Sequence, residues 1–119
     1  MKKLNEKEEQ VMQIVWRMEQ AFVKDILDAM EDPKPPITTL SSIVRKLESE
    51  GWLGYESFGK TYRYFPLVRK EEYIKASFQR LLHDYFEGSP RQLLSFFVEE
   101  QHSDPEELAR LLDEIKRKG

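Results

Sequence analysis

One segment, Trp52 to Phe65, reads as strand in a chain whose other long segments read as amphipathic helix, and its position limits the folds available. It holds two aromatic-rich runs, Trp52-Leu53-Gly54-Tyr55-Glu56-Ser57 and Thr61-Tyr62-Arg63-Tyr64-Phe65, on either side of Phe58-Gly59-Lys60. Such runs around a glycine-bearing turn predict a β-hairpin, closed here by Pro66.

Three helices precede it. Asn5 with Glu8 three positions on is a capping-box pattern, and Val11, Ile14, Val15 and Met18 then repeat at helical spacing, predicting a helix from about Glu6 to Met18. After a short extended break at Ala21-Phe22, Val23, Ile26, Leu27 and Met30 mark a second, shorter helix. Asp32-Pro33-Lys34-Pro35-Pro36 ends it, because proline withholds the donors a helix needs. A third helix begins near Ile37 or Thr38, buries Leu40, Ile43, Val44 and Leu47, and stops at Gly51. Three helices followed by a hairpin are the order of a winged helix-turn-helix. The expected fold is therefore mainly α with a small β-hairpin: a winged helix-turn-helix domain over residues 1–68 and a helical region over 69–119.

That second region carries more apolar surface than short helices bury alone. Ile74, Phe78, Leu81, Leu82 and Tyr85 line one side of a helix from Arg69 to Phe86. Gly88-Ser89-Pro90 breaks it, with Ser89 as the next cap. Leu93 to Val98 is apolar nearly all round, which calls for burial on more than one side. Ser103-Asp104-Pro105 starts a last helix with Leu108, Leu111, Leu112 and Ile115 in its stripe. Phe78, Leu81, Leu82, Tyr85, Leu93, Phe96, Phe97, Leu108, Leu111 and Leu112 are the residues expected to hold a homodimer together. Packing back onto the winged domain as monomer core is the alternative.

Net charge is -3, mildly against nucleic acid as a partner, but its distribution is uneven. Ser57 to Lys70 contains Lys60, Arg63, Arg69 and Lys70 and no acid. A local basic patch on a mildly acidic chain fits site-directed binding to double-stranded DNA better than general charge attraction. On the third helix, Thr38, Thr39, Ser41 and Ser42 are short enough to approach base edges, while Arg45 and Lys46 suit flanking phosphates. Lys60 at the hairpin tip and Arg63 on its second strand complete a wing that can rest on the sugar-phosphate backbone. The plainer alternative is that the third helix simply shows a solvated face.

In order and spacing, four segments resemble the penicillinase-repressor family, the BlaI/MecI-type winged-helix regulators of bacteria. They are Val11-Met12-Gln13-Ile14-Val15-Trp16, Val23-Lys24-Asp25-Ile26-Leu27, Thr38-Thr39-Leu40 and Gly59-Lys60-Thr61-Tyr62-Arg63-Tyr64-Phe65-Pro66-Leu67, with Glu71-Glu72-Tyr73 following. The resemblance runs from Leu4 to about Lys118 and departs at Glu9, where many members carry Trp. It implies a homodimeric repressor that grips inverted-repeat operators through the third helix and wing, with the C-terminal helices clasped. In members that answer to β-lactams, a membrane sensor protease triggers cleavage at an Asn-Phe step in the penultimate helix. That step matches Ser95-Phe96 here, with serine in place of asparagine. The copper-responsive branch ends in a cysteine cluster that this chain lacks.

Other function classes find little support. Without cysteine there is no disulfide, thiolate zinc site or thiol nucleophile. His83 and Asp84 are helix neighbours whose side chains are expected to point apart, and His102 sits in a polar connection, so no catalytic group, metal or cofactor is expected. The N-terminus turns polar at once and Leu93 to Val98 is too short to span a bilayer, so a cytoplasmic protein without membrane insertion is expected. A winged-helix adaptor that binds protein instead of DNA remains the second reading, and a hydrolase a third for which the sequence supplies no polar pocket.

Overall fold

The order of elements follows from where each helical stripe can be capped and stopped. The computed structural model describes residues 1–101 and 104–118. In α1 (Glu6–Met18), the Asn5 side chain accepts from the Glu8 amide at 2.8 Å and Glu8 accepts from the Asn5 amide at 3.0 Å, the reciprocal cap read from the sequence. The short α2 (Val23–Ala29) gains a similar start from Asp25, whose carboxylate accepts from the Phe22 amide at 2.9 Å. In α3 (Ile37–Ser49) no side chain caps the first turn, because Pro36 occupies the cap position. Gly51, at a φ of +86°, turns the chain out of that helix, a conformation that costs any residue with a Cβ.

The hairpin is β2 (Leu53–Phe58) and β3 (Thr61–Pro66); β2 is shifted one residue along from the run read in the sequence, and β3 is one residue longer at its end. Ala21–Phe22 forms β1, which pairs antiparallel with Tyr64 and Arg63, so β3 is the middle strand of a three-stranded sheet. Pro66 is tolerated at the end of a central strand because β1 reaches no further along β3 than Arg63 and Tyr64. Gly54 admits the Phe65 ring, which would come within 2.6 Å of a Cβ at that position.

The chain divides into two compact units, Met1–Ala76 and Ser77–Gly119. In the first, Val11, Met12, Val15, Ile26, Leu40, Val44, Leu47 and Leu53 are sealed from solvent, joining all three helices to the root of the hairpin. The division falls after Ala76 instead of Val68 because the first turns of α4 (Lys70–Phe86) belong to this core. Tyr73 packs its ring 5.7 Å from Trp16 and 5.6 Å from Trp52 and donates its hydroxyl to Glu9 at 3.0 Å. Trp16 in turn donates its indole N–H to the Val68 carbonyl at 2.8 Å.

The second unit continues α4 into α5 (Pro90–Gln101) and α6 (Pro105–Lys118). Ser89 accepts from the Gln92 amide at 3.2 Å, the cap expected at the Gly88-Ser89-Pro90 break. Asp104 caps α6 by accepting from the Glu106 amide at 3.0 Å. His102, the expected helix-start residue Ser103 and the Ile115 side chain of the last stripe lie outside the described residues. Among the described residues, no helix is long and apolar enough to cross a membrane.

Candidate nucleic-acid interface

α3 presents two flanks and an outer edge, and its sequence spacing decides which residue faces where. With Leu40, Val44 and Leu47 buried inward, Thr38, Ser42 and Arg45 project outward and are exposed, and Thr39 is exposed beside them. The Ser42 hydroxyl donates to the Thr38 carbonyl at 3.1 Å, which leaves its oxygen free to accept from a base or an amine. The short side chains of Thr38, Thr39 and Ser42, with no acid among them, let the first turns of the helix backbone come close to a surface.

Ile37, Ser41 and Arg45, four residues apart, form the flank of α3 that turns toward the wing. There an open cleft of about 630 Å³ runs between α3, the start of α2 and the outer half of β3. Ser41 and Arg45 stand on one wall, Lys60 and Tyr62 on the other, and Lys24 at the end where α2 begins. Lys24, Arg45 and Lys60 are exposed, and the Arg45 Nε donates to the Ser41 carbonyl at 3.4 Å. Tyr55, Tyr62 and Tyr64 form one aromatic cluster beside the cleft, Tyr55 and Tyr62 exposed with their rings 4.7 Å apart and Tyr64 buried. Burial pushes the Tyr64 phenol up from its ordinary value, so it stays protonated at neutral pH. Three cations converge on a hollow with an apolar floor, and the acid beside them, Asp25, is occupied in capping α2.

Lys24 and Tyr62 were not among the residues singled out by sequence reasoning. One signal was available for Lys24: a cation in a helix's first turn opposes the macrodipole and invites a functional explanation. Replacing Lys24 with Gln is expected to weaken duplex binding several-fold and reduce the dependence of log affinity on log salt by about 0.9, while base preference stays the same. Titration of one labelled duplex at several salt concentrations measures both.

Two expected contacts are placed elsewhere. Lys46 lies on the other flank of α3, its Nζ 3.3 Å from the carboxylate of Glu8. Arg63 alternates with Tyr62 and Tyr64 along β3 and so sits on the opposite face of the sheet. There it lies 3.6 Å from Glu56 and stacks 4.6 Å over the Phe58 ring. The structure thus brings Ser41, Arg45 and Lys60 together around the cleft, with Thr38, Thr39 and Ser42 on the adjoining outer edge.

In the second unit, Phe78, Leu81, Tyr85, Phe96, Phe97, Leu111 and Leu112 are exposed on the single chain, while Leu93 and Leu108 are half-buried. Leu82 is already buried within the chain. Phe96 packs edge-on against Phe86 with centroids 5.6 Å apart, yet half of its surface stays open, at 51% exposure. Ser95 and Phe96 are both exposed on α5. His83 does reach its neighbour, with Nδ1 3.1 Å from Asp84 Oδ1, against the expectation that the two point apart. The pair is exposed to solvent, so the contact creates no enclosed acid–base site. Among the described residues, no group of His, Asp and Glu is arranged to hold a metal ion.

A family profile described as penicillinase repressor matches residues 4–117. The chain is similar to a penicillinase repressor from Bacillus licheniformis, 22% identical over 97% of this chain and 93% of that one. Among solved structures it is similar to TrmBL2, an archaeal chromatin protein described as showing a novel mode of DNA binding. There the TM-score is 0.48 at 17% identity, and the likeness covers 86% of this chain and 38% of TrmBL2.

Proposed function

Since the chain belongs to the penicillinase repressor family, we propose that it is a DNA-binding transcriptional repressor acting as a homodimer on inverted-repeat operators. The observation that carries the proposal is the cleft between α3 and the wing, where Lys24, Arg45 and Lys60 meet from three separate elements. A sugar-phosphate strand fits such a cleft: the cations take the phosphates and the tyrosine surface takes the sugars. With the strand held there, the outer edge of α3 enters the adjacent major groove, and Thr38, Thr39, Ser41 and Ser42 meet base edges.

Symmetry supplies affinity. Two α3 helices held about one helical turn apart, or a small multiple, read two half-sites, so the hold on DNA depends on the pairing of the C-terminal helices. The exposed apolar side chains of α4, α5 and α6 support that pairing, since surfaces of this kind mark association sites. Loosening or cutting α5, with Ser95-Phe96 as the candidate step and a membrane sensor protease as the candidate agent, would release DNA without touching a base contact.

Footprinting on the promoter of the chain's own gene tests the reading. A protected inverted repeat whose two halves are lost together on dilution is the expected result. Uniform coating of unrelated duplexes, or no protection at low salt, would overturn it. An adaptor that keeps the winged shape but not the DNA would give the second outcome and retain a protein partner.

A further inference from the structure

On the flank of α3 that faces away from the cleft, Ile43 and Lys46 line a smaller hollow with Asn5, Glu6, Lys7 and Glu8. Glu8 is the one buried charged residue in the first unit, at 2% exposure. One carboxylate oxygen completes the cap of α1; the other, Oε2, lies 3.3 Å from Lys46 Nζ and 3.7 Å from Lys2 Nζ as ion pairs. Lys2 also donates to both carboxylate oxygens of Glu50, at 3.0 and 3.1 Å, at the far end of α3. Burial opposes ionisation of Glu8, but the Asn5 amide and the two ammonium groups outweigh it and hold its carboxyl below the usual range.

A buried carboxylate needs its partners, because an unpaired charge in this setting is strongly unfavourable. Lys46 is the partner that α3 supplies. The core grips α3 along Leu40, Val44 and Leu47, and the Glu8–Lys46 pair fixes it from one side, at the residue next to Arg45. We infer that Glu8 is a positioning residue for the recognition helix: through Lys46 it sets how α3 meets its target, and it keeps that cation from contacting phosphate. This inference rests on the DNA-binding reading for its target, while the pairing itself can be tested without DNA.

Two measurements test it. In duplex titrations over a range of salt, Arg45→Gln is expected to lower the salt slope by about 0.9, the loss of one phosphate contact, and Lys46→Gln to leave it at the wild-type value. Glu8→Gln keeps the cap of α1, since Gln serves at that position too, but frees Lys46; its slope is expected to rise by about 0.9. A purely structural role for Glu8 would lower affinity without raising the slope. Lys46→Arg preserves the pair and should behave as wild type. A Lys46→Gln slope that falls as far as that of Arg45→Gln overturns the inference, as does an unchanged slope for Glu8→Gln.

Denaturant unfolding of Glu8→Gln, Lys46→Gln and the double variant forms the second measurement. The double variant is expected to be less destabilised than the two singles combined, by about tenfold in the unfolding constant. Strict additivity overturns the inference. Should the wild-type chain ignore DNA altogether, the function proposed above fails, and this cycle still decides whether Glu8 holds α3 through Lys46.

Discussion

Arg45→Glu combined with Lys60→Glu is expected to abolish duplex binding while the mass of the assembly stays unchanged. The two side chains stand on opposite walls of the cleft, one on α3 and one at the tip of the hairpin. Both are exposed, and the described structure gives neither an ion pair with an acid of the chain. Losing two phosphate contacts would reduce the salt slope by about 1.8. Reversal goes further, because each carboxylate then faces a phosphate, and like charges set against each other cost several kcal/mol. A loss of about a thousandfold in affinity, about 4 kcal/mol, is the expected size. Fluorescence anisotropy with a labelled operator duplex reads the affinity, and sedimentation of the free protein reads the mass. Retention of binding within tenfold would mean that the cleft does not hold the strand.

Phe96→Asp is expected to break the proposed dimer. Phe96 is supported on one side by the edge of Phe86 and open on the other, in a helix that also exposes Leu94 and Phe97. If this face is covered by a second copy, a carboxylate there is buried without a partner and costs several kcal/mol. The dissociation constant of the dimer is then expected to rise by about a hundredfold or more. Operator affinity falls with it, because the second half-site is no longer engaged at high effective concentration. Each winged unit keeps its core, since Phe96 belongs to the other compact unit. Sedimentation equilibrium distinguishes the outcomes: an unchanged dimer mass would place the interface on another surface.

The parts of this molecule that were legible in advance are those governed by local rules. Helical spacing located α1 and α3 to within a residue because their apolar stripes are complete and their ends are marked by Asn5 and Gly51. The wing was legible because aromatic runs around Gly59 have few other ways to fold. What remained hidden depends on partners distant in sequence. Nothing near Lys46 shows that a carboxylate from the start of α1 waits for it. Arg63 reads as a wing cation until the strand register puts it across from Glu56, on the face away from the cleft. Lys24 escaped notice for the opposite reason: its role depends on how the start of α2 meets the wing, a tertiary fact. Tyr73 lies beyond the boundary expected at Val68, and its ring and hydroxyl, whose partners are distant in sequence, commit the base of α4 to the first unit.

That commitment of Tyr73 bears on what a severed chain would be. Its partners Glu9, Trp16 and Trp52 all precede the break that a cut at Ser95-Phe96 would make, so the cut removes none of them. The larger product would retain its reading head and the first turns of α4, yet lack the means to recruit a twin. On the proposed reading, such a remnant would be disarmed by loss of company, not by loss of shape, and would bind as a weak single-site ligand.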